Sequence, residues 1–327
     1  MSIKVLVTGA GGFIGSHLVD LLLKKGYLVR ALVRYNSHAG WGHLDEIDHD
    51  RREQLEVCLG DVTDPYLIRD LVAGCEIVFH LAALIGIPYS YQAPSSYVAT
   101  NVGGTLNILE ACRQARSRRV IVTSTSEVYG TARYTPIDES HPLQAQSPYA
   151  ATKIAADKLA EAYFCSYDLP VVTLRPFNTY GPRQSARAVI PTVLAQALAG
   201  AKEIRLGNLH PERDLTYVED TARAFFLAGE TPGLEGQTIH FGHGKSISIG
   251  ELARRCLDVI GSDARVVGAD ERQRPEKSEV NLLLCDASKA KALLAWEPQV
   301  SLDEGLGRTA DYMRVHLKKY QNRNYVV

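Results

Sequence analysis

One short segment restricts the fold of this 327-residue chain more than any other. Ile3-Lys4-Val5-Leu6-Val7 reads as a buried strand. Thr8-Gly9-Ala10-Gly11-Gly12-Phe13-Ile14-Gly15 carries it directly into a helical pattern that runs to residue 26. Glycines at 9, 12 and 15 let the backbone turn tightly, approach a bound pyrophosphate and pack the helix on the strand. The unpaired N–H groups and the positive dipole end of that helix then favour phosphate. The spacing is G-x-x-G-x-x-G, not the commoner dinucleotide spacing G-x-G-x-x-G. Its weight therefore comes from context: a strand before it, a helix after it and a strand–helix series beyond.

Strand-like runs at 3–8, 29–34, 55–60, 76–82, 119–124 and 171–175 are short, rich in Val, Ile and Leu, and mostly not alternating. Such runs suit strands buried on both faces of a parallel sheet. Helical patterns at 13–26, 65–73, 95–115 and 148–167 lie between them, which implies right-handed βαβ units. The expected fold class is α/β: a Rossmann-like doubly wound parallel sheet with a smaller C-terminal α/β substrate domain. After residue 177, prolines at 182, 191, 211 and 232 interrupt the alternation. The expected division assigns 1–176, with returning segments at about 214–242, to the dinucleotide-binding domain, and 177–213 with 243–327 to the substrate domain.

Charge and cysteines narrow the function. With 36 Lys and Arg against 37 Asp and Glu, the chain lacks the basic surface that a nucleic-acid binder needs. Six cysteines lie far apart with no C-x-x-C, a pattern that fits neither a disulfide scaffold nor a zinc site but a reduced, cytoplasmic protein. No metal site is expected. The N-terminus has no basic region followed by a cleavage site, and no apolar run approaches membrane-spanning length, so neither secretion nor a membrane is expected.

Positions that would face a cofactor follow from the strand order. The second strand ends at Leu32-Val33-Arg34-Tyr35-Asn36-Ser37, where an acidic residue would usually hold a ribose 2′-hydroxyl. None is present, and Arg34 can instead pair with a 2′-phosphate, which favours NADP over NAD. Asp61-Val62 after the third strand is placed to face the adenine edge. Leu81-Ala82-Ala83 after the fourth is placed to flank the cofactor, while His80 at that strand's end has a structural reading.

The chemistry concentrates in two segments. Ser147-Pro148-Tyr149-Ala150-Ala151-Thr152-Lys153 opens a helix, so Tyr149 and Lys153 share one face. A lysine cation near a phenol favours the phenolate, and such a tyrosine can act as a general base. Thr123-Ser124-Thr125-Ser126-Glu127 runs off the fifth strand, at the carboxyl end where parallel sheets bind ligands. Thr125 can share a substrate hydroxyl with Tyr149, and Glu127 can transfer protons or be a solvated loop residue.

Together these residues resemble the extended short-chain dehydrogenase/reductase family, whose nucleotide-sugar members share the glycine turn, the Tyr-x-x-x-Lys pair and a hydroxyl residue before it. The resemblance covers essentially the whole chain. Asn101-Val102-Gly103-Gly104-Thr105 resembles the family's N-x-x-G-T and implies a cofactor-side role for Asn101. Arg175-Pro176-Phe177-Asn178-Thr179-Tyr180-Gly181-Pro182-Arg183 resembles the entry to its substrate domain and implies that Asn178 contacts the pyrophosphate. Arg213-Asp214 and Tyr217-Val218-Glu219-Asp220 resemble its R-D and Y-V-x-D segments. Thr125-Ser126-Glu127 resembles GDP-mannose 4,6-dehydratases and UDP-glucuronate decarboxylases. Ser126 stands where dTDP-glucose 4,6-dehydratases have an acid, which would leave Glu127 as both base and acid. Ile87-Pro88-Tyr89-Ser90-Tyr91, the stretch from Gly181 to Thr192 and Arg274-Pro275-Glu276-Lys277-Ser278-Glu279-Val280 resemble bacterial GDP-N-acetylglucosamine 4,6-dehydratases of legionaminic-acid-type pathways.

The implied activity is a redox-neutral 4,6-dehydration: oxidation at C4 with Tyr149 as base, loss of water across C5–C6 through Glu127, and hydride return to C6. Lys153 would hold the ribose. Ser90, Asn178, Arg187, Arg213 and Arg274 are the substrate candidates, the arginines because guanidinium suits phosphate. The resemblance implies NAD, against the Arg34 argument, so the cofactor is expected as NAD or NADP, tightly bound and regenerated each turnover. Rival readings are a UDP-glucuronate decarboxylase, a 4-epimerase and, from another class, a non-catalytic dinucleotide sensor. The resemblance also implies a homodimer through helices 101–115 and 148–167.

Overall fold

The structure is a computed structural model that describes residues 3–37, 40–268 and 275–320. The first half of the chain contains β1 (Lys4–Thr8), α1 (Phe13–Lys24), β2 (Leu28–Arg34), β3 (Leu55–Gly60), α2 (Pro65–Val72) and β4 (Ile77–His80). A helical stretch follows in pieces, α3 (Ile87–Gln92), α4 (Pro94–Tyr97), a π-helical segment Val98–Gly103 and α5 (Gly104–Ala115), and leads to β5 (Arg119–Thr123). A 3₁₀ turn, Ser126–Tyr129, precedes α6 (Pro148–Tyr167) and β6 (Val171–Pro176). The remainder comprises β7 (Asn178–Tyr180), α7 (Val189–Leu198), β8 (Glu203–Leu206), β9 (Glu212–Tyr217), α8 (Val218–Glu230), β10 (Thr238–Phe241), β11 (Ser246–Ser248), α9 (Ile249–Ile260), β12 (Arg265–Gly268), β13 (Leu282–Leu283), α10 (Ser288–Leu294), α11 (Leu302–Val315) and α12 (Leu317–Tyr320).

Seven strands form one sheet in the order β3-β2-β1-β4-β5-β6-β10, and every pairing is parallel. This is the doubly wound architecture read from the sequence. Each face is covered. One cluster joins Leu18, Val19 and Leu22 of α1 to Phe225 and Trp296; the other joins Ile68 and Leu71 of α2 to Ile108, Leu109 and Ala160. Burial on both faces explains why β4 and β5 are apolar without alternation. The order reverses between β1 and β4, so the crevice for a ligand opens at their carboxyl ends.

The helix expected at 95–115 is not uniform: the π-helical turn interrupts it before Gly104. A Cβ on Gly104 would lie 2.7 Å from Val62 Cγ1, so glycine there allows α5 to press against the loop after β3. The C-terminal third builds a smaller assembly. β9 pairs with β7 and β13 in parallel and with β11 antiparallel, and β8 pairs with β12. Its own apolar cluster gathers Val193, Leu194, Leu252, Cys256, Leu306 and Met313. The chain interleaves the two assemblies, because α8 packs on α1 and β10 completes the large sheet. Among the described residues, no helix is long and apolar enough to cross a membrane.

Candidate active site

The glycine turn lies at the mouth of the crevice. Gly9 has φ +67° and a Cβ there would stand 2.8 Å from the Ala82 amide nitrogen. A Cβ on Gly15 would overlap the Gly9 carbonyl. Gly12 is the N-cap of α1, with no side-chain cap and no acid in the first turn. A bare helix start in a cradle that excludes side chains fits a dinucleotide pyrophosphate. The loop after β2 folds over it: the His43 N–H donates to the Gly11 carbonyl at 3.0 Å. Phe13 and Ile14 turn their side chains into the protein's apolar clusters, which leaves their backbone rather than their side chains to a ligand.

The other cofactor-side positions behave differently from one another. Arg34 ends β2 exposed, with no side-chain hydrogen bond among the described residues. Asp61 is exposed and caps its own turn, its Oδ1 accepting from the Thr63 N–H at 2.9 Å and the Thr63 hydroxyl at 2.8 Å. Val62 is buried against Gly104. Leu81 and Ala82 donate their N–H groups to Thr8 Oγ1, and with Ala83 they are half-buried beside Gly9. Having accepted those two bonds, the Thr8 hydroxyl donates to His80 Nδ1, and Nε2–H donates to Thr105 Oγ1. Burial, reinforced by the Lys153 charge, pushes the His80 pKa down to about 3, so it is a neutral structural clasp between β1, β4 and α5.

Asn101 is held on the protein side. Its amide is committed to the protein: Oδ1 accepts from Leu84 N–H at 2.8 Å, and Nδ2 donates to the Leu84 carbonyl and to Thr152 Oγ1, both at 3.0 Å. It braces the loop after β4 against α6, one residue before Lys153, and does not present a free amide to a cofactor.

The catalytic candidates converge. Ser147 caps α6 through Ala150 N–H with Pro148 in the first turn, which fixes the start of the helix one residue before Tyr149. The Thr125 hydroxyl hydrogen-bonds the Tyr149 phenol, and Glu127 is close enough for its charge to act on that phenol. Thr125 also accepts from Glu127 N–H at 3.2 Å, holding the turn that carries the carboxylate. Ser126 is buried in the same turn. The Lys153 ammonium donates to the Thr123 carbonyl. Burial pushes its pKa down to about 8, with Asp157 opposing. Burial pushes the Tyr149 phenol up, the Thr125 bond opposes this, and the Glu127 charge adds to it. The physical reason is enclosure of the ring, which penalises a phenolate.

Substrate candidates are scattered. Asn178 stands at the start of β7 with a buried Oδ1 that has no partner among the described residues, an acceptor suited to a ligand. Arg187 is exposed, and its charge acts on Tyr97, whose ring stands edge-on to Tyr149 at 6.3 Å. Ser90 is fully buried and donates to the Ile87 carbonyl at 2.7 Å, which leaves its lone pairs to accept from a ligand. Arg213 is buried and pairs with Glu279 at 3.6 Å. Arg274 lies outside the described residues. Among those residues no cluster could hold a metal.

Several members of the surroundings carry no motif. Ser278 Oγ donates to the Gln146 carbonyl and meets Tyr91 Oη, both at 2.6 Å, closing the segment after residue 274 over the start of α6. Glu46 receives His43, Tyr312 and Lys319 and pairs with Arg183, which also holds Asp20. Burial alone would raise its pKa, but the bonds from His43, Lys319 and Tyr312 bring it to about 2. Ser124, Asp157, Arg175, Tyr129 and His240 form a buried polar chain beneath the site. The visible signal for it was Arg175 in an apolar strand and Asp157 one turn beyond Lys153.

Comparison with known proteins agrees with this geometry. The family described as GDP-mannose 4,6 dehydratase matches residues 6–309. A UDP-glucose 4-epimerase of Mycolicibacterium smegmatis is 33% identical over 95% of this chain and 98% of its own length. A dTDP-glucose 4,6-dehydratase of an Actinoplanes species is 32% identical over 96% of this chain and 98% of its own. The crystal structure of DesIV, a dTDP-glucose 4,6-dehydratase from Streptomyces venezuelae with NAD and TYD bound, superposes with a TM-score of 0.87 at 32% identity, covering 98% of this chain and 99% of that one.

Proposed function

The chain belongs to the GDP-mannose 4,6 dehydratase family of nucleotide-sugar enzymes, and on that premise we propose that it is a nucleotide-sugar 4,6-dehydratase using NAD or NADP. The observation that carries this reading is the Glu127 carboxylate beside the Thr125–Tyr149 pair. A 4-epimerase needs only the phenol, the hydroxyl and the lysine; removing a C5 proton needs a further base.

The cofactor, when bound, takes hydride from C4 and returns it at C6. Gly9, Gly12 and Gly15 cradle its pyrophosphate, Leu81, Ala82 and Ala83 flank it, and Lys153 holds its ribose. Arg34, exposed and with no side-chain partner among the described residues, supports the phosphorylated form; NAD in DesIV supports the other. The Tyr149 phenolate, stabilised by Thr125 Oγ1, takes the proton from the C4 hydroxyl and becomes the neutral phenol. The C4 ketone acidifies C5–H; Glu127 takes that proton and delivers one to the departing C6 hydroxyl, so one carboxylate serves as base and then acid, and the hydride returned to C6 is matched by a proton returned to C5, which balances the one lost from the C4 hydroxyl. Ser126, a buried hydroxyl in the same turn, carries no carboxylate and leaves the acid role to Glu127. Asn178 and Arg187 bind the diphosphate, and binding energy from that remote end positions C4, C5 and C6. The same reading makes GDP-N-acetylglucosamine the favoured substrate and a homodimer the working assembly, with Val98, Leu106 and Tyr167 exposed along the 98–115 and α6 segments.

Mass spectrometry of the purified protein with GDP-N-acetylglucosamine, GDP-mannose, UDP-N-acetylglucosamine, dTDP-glucose and UDP-glucuronate tests the proposal. Loss of one water from a single donor is expected and names the substrate. Loss of carbon dioxide from UDP-glucuronate would replace the reading with a decarboxylase. Unchanged mass with inversion at C4 would replace it with the 4-epimerase activity of the M. smegmatis relative.

A further inference from the structure

Tyr149 and Lys153 ride on α6, whereas Glu127 rides on the 3₁₀ turn after β5, so something must set the gap between two separately folded pieces. One guanidinium touches both. Arg175, buried in β6, donates from Nε and Nη2 to Asp157 Oδ2 at 3.1 and 2.9 Å, and from Nη1 to Tyr129 Oη at 2.6 Å. Asp157 lies one helical turn beyond Lys153. Tyr129 closes the turn two residues after Glu127. The Tyr129 phenol, having accepted from Arg175, donates onward to His240 Nε2 at 2.5 Å, and the His240 N–H is held by Glu139 at 2.9 Å. The strand end completes the frame. Ser124 Oγ donates to the same Asp157 oxygen at 2.7 Å, between Thr123, which receives Lys153, and Thr125, which binds Tyr149. Three consecutive residues thus pin three helix residues spaced by four, and Arg175 ties that helix to the Glu127 turn. A rigid planar fork is the side chain that can hold two acceptors in fixed directions at once.

We infer that Arg175 is a positioning residue that fixes the Glu127 turn against the Tyr149–Lys153 helix, so that proton transfer at C5 and C6 stays in register with oxidation at C4. Its kinetic consequence rests on the dehydratase reading. Its geometric content does not.

Arg175→Lys keeps the charge beside Asp157 and loses the arm to Tyr129. Tyr129→Phe keeps the Asp157–Arg175 pair and loses the same arm. Both are compared with the unaltered holoenzyme on two signals: nicotinamide reduction when substrate is added, which reports C4 oxidation, and deuterium uptake at C5 from heavy water, which reports Glu127. Misplacement by a fraction of an ångström is expected to slow C5 exchange at least about tenfold in both variants. C4 oxidation should stay within about twofold, with KM unchanged and the loss carried by kcat. Equal loss of both signals in Tyr129→Phe, or normal exchange in it, overturns the inference; if Arg175→Lys fails to fold, Tyr129→Phe decides alone. Absence of C5 exchange in the unaltered protein would be failure of the dehydratase reading instead. The crystal structure of Tyr129→Phe then decides the positioning claim: a Glu127 turn displaced relative to α6 upholds it, and an undisplaced turn overturns it.

Discussion

Tyr149 and Glu127 divide the proposed reaction between them, and substitution at each should stop it at a different place. Tyr149→Phe removes the group that takes the C4 proton but keeps the ring's packing on Tyr97. Turnover should be abolished with cofactor binding retained, read by nicotinamide reduction and by calorimetric titration; residual activity near the parent level would exclude Tyr149 as the base. Glu127→Gln keeps the size and removes the base. Nicotinamide should still be reduced, while C5 deuterium exchange should disappear, and normal exchange would exclude Glu127. These residues were legible because each sits in a motif. Asn101, Ser90 and Arg213 were legible as polar residues in family-like segments, but their protein-side partners were not. A sequence does not say whether an amide, a hydroxyl or a guanidinium spends its hydrogen bonds on a ligand or on Leu84, Ile87 and Glu279. Asp157 and Arg175 are 18 positions apart, and no local pattern announces that they meet.

At the scale of elements, α6 is the clearest success of sequence reasoning, running from Pro148 to Tyr167 as expected. Its Ser-Pro start supplies a cap and a preset first turn, signals that depend on nearest neighbours alone. The π-helical turn before α5 was not legible, since no residue pattern in Val98–Gly103 distinguishes it from the helix around it. Glycines inside α11 show a division between local and distant causes. A Cβ on Gly307 meets nothing within 4 Å, whereas one on Gly305 would overlap the Tyr180 hydroxyl. Gly307→Ala should stabilise the protein by about 0.5–1 kcal/mol through helix propensity. Gly305→Ala should destabilise it by about 1–3 kcal/mol through overpacking. Chemical denaturation of the pair checks this; equal effects would mean that propensity alone governs both positions.

Across the whole molecule, buried histidines set the response to acid. Burial, helped by the Arg183 charge, lowers the His17 pKa to about 4; burial lowers His80 and His240 to about 3, with Lys153 and Arg175 respectively adding to it. The unfolded chain therefore takes up these protons near pH 6.5, before the folded one does, and stability must fall as the pH drops below that value. Glu46 contributes stability that is present above pH 4.5 and lost as the pH falls toward 2, in the same direction. Denaturation midpoints should decline between pH 6.5 and 4.5 from the histidines alone. His17→Gln should flatten part of that slope, and a flat profile in the parent would contradict the assignment. The doubly wound sheet and its crevice were legible from strand order. The interleaving of the two assemblies through α8 and β10 was legible only roughly, because it is decided by which surfaces cover one another. The pinning of 123, 124 and 125 to 153, 157 and 149 also bears on how such a scaffold can change trade. Inserting or deleting a residue in either element would break all three pins together, so neither length can drift. Ser126 and Glu127 lie just past the last pin. Chemical novelty can accumulate there by substitution alone, while the machinery for moving hydride is inherited intact.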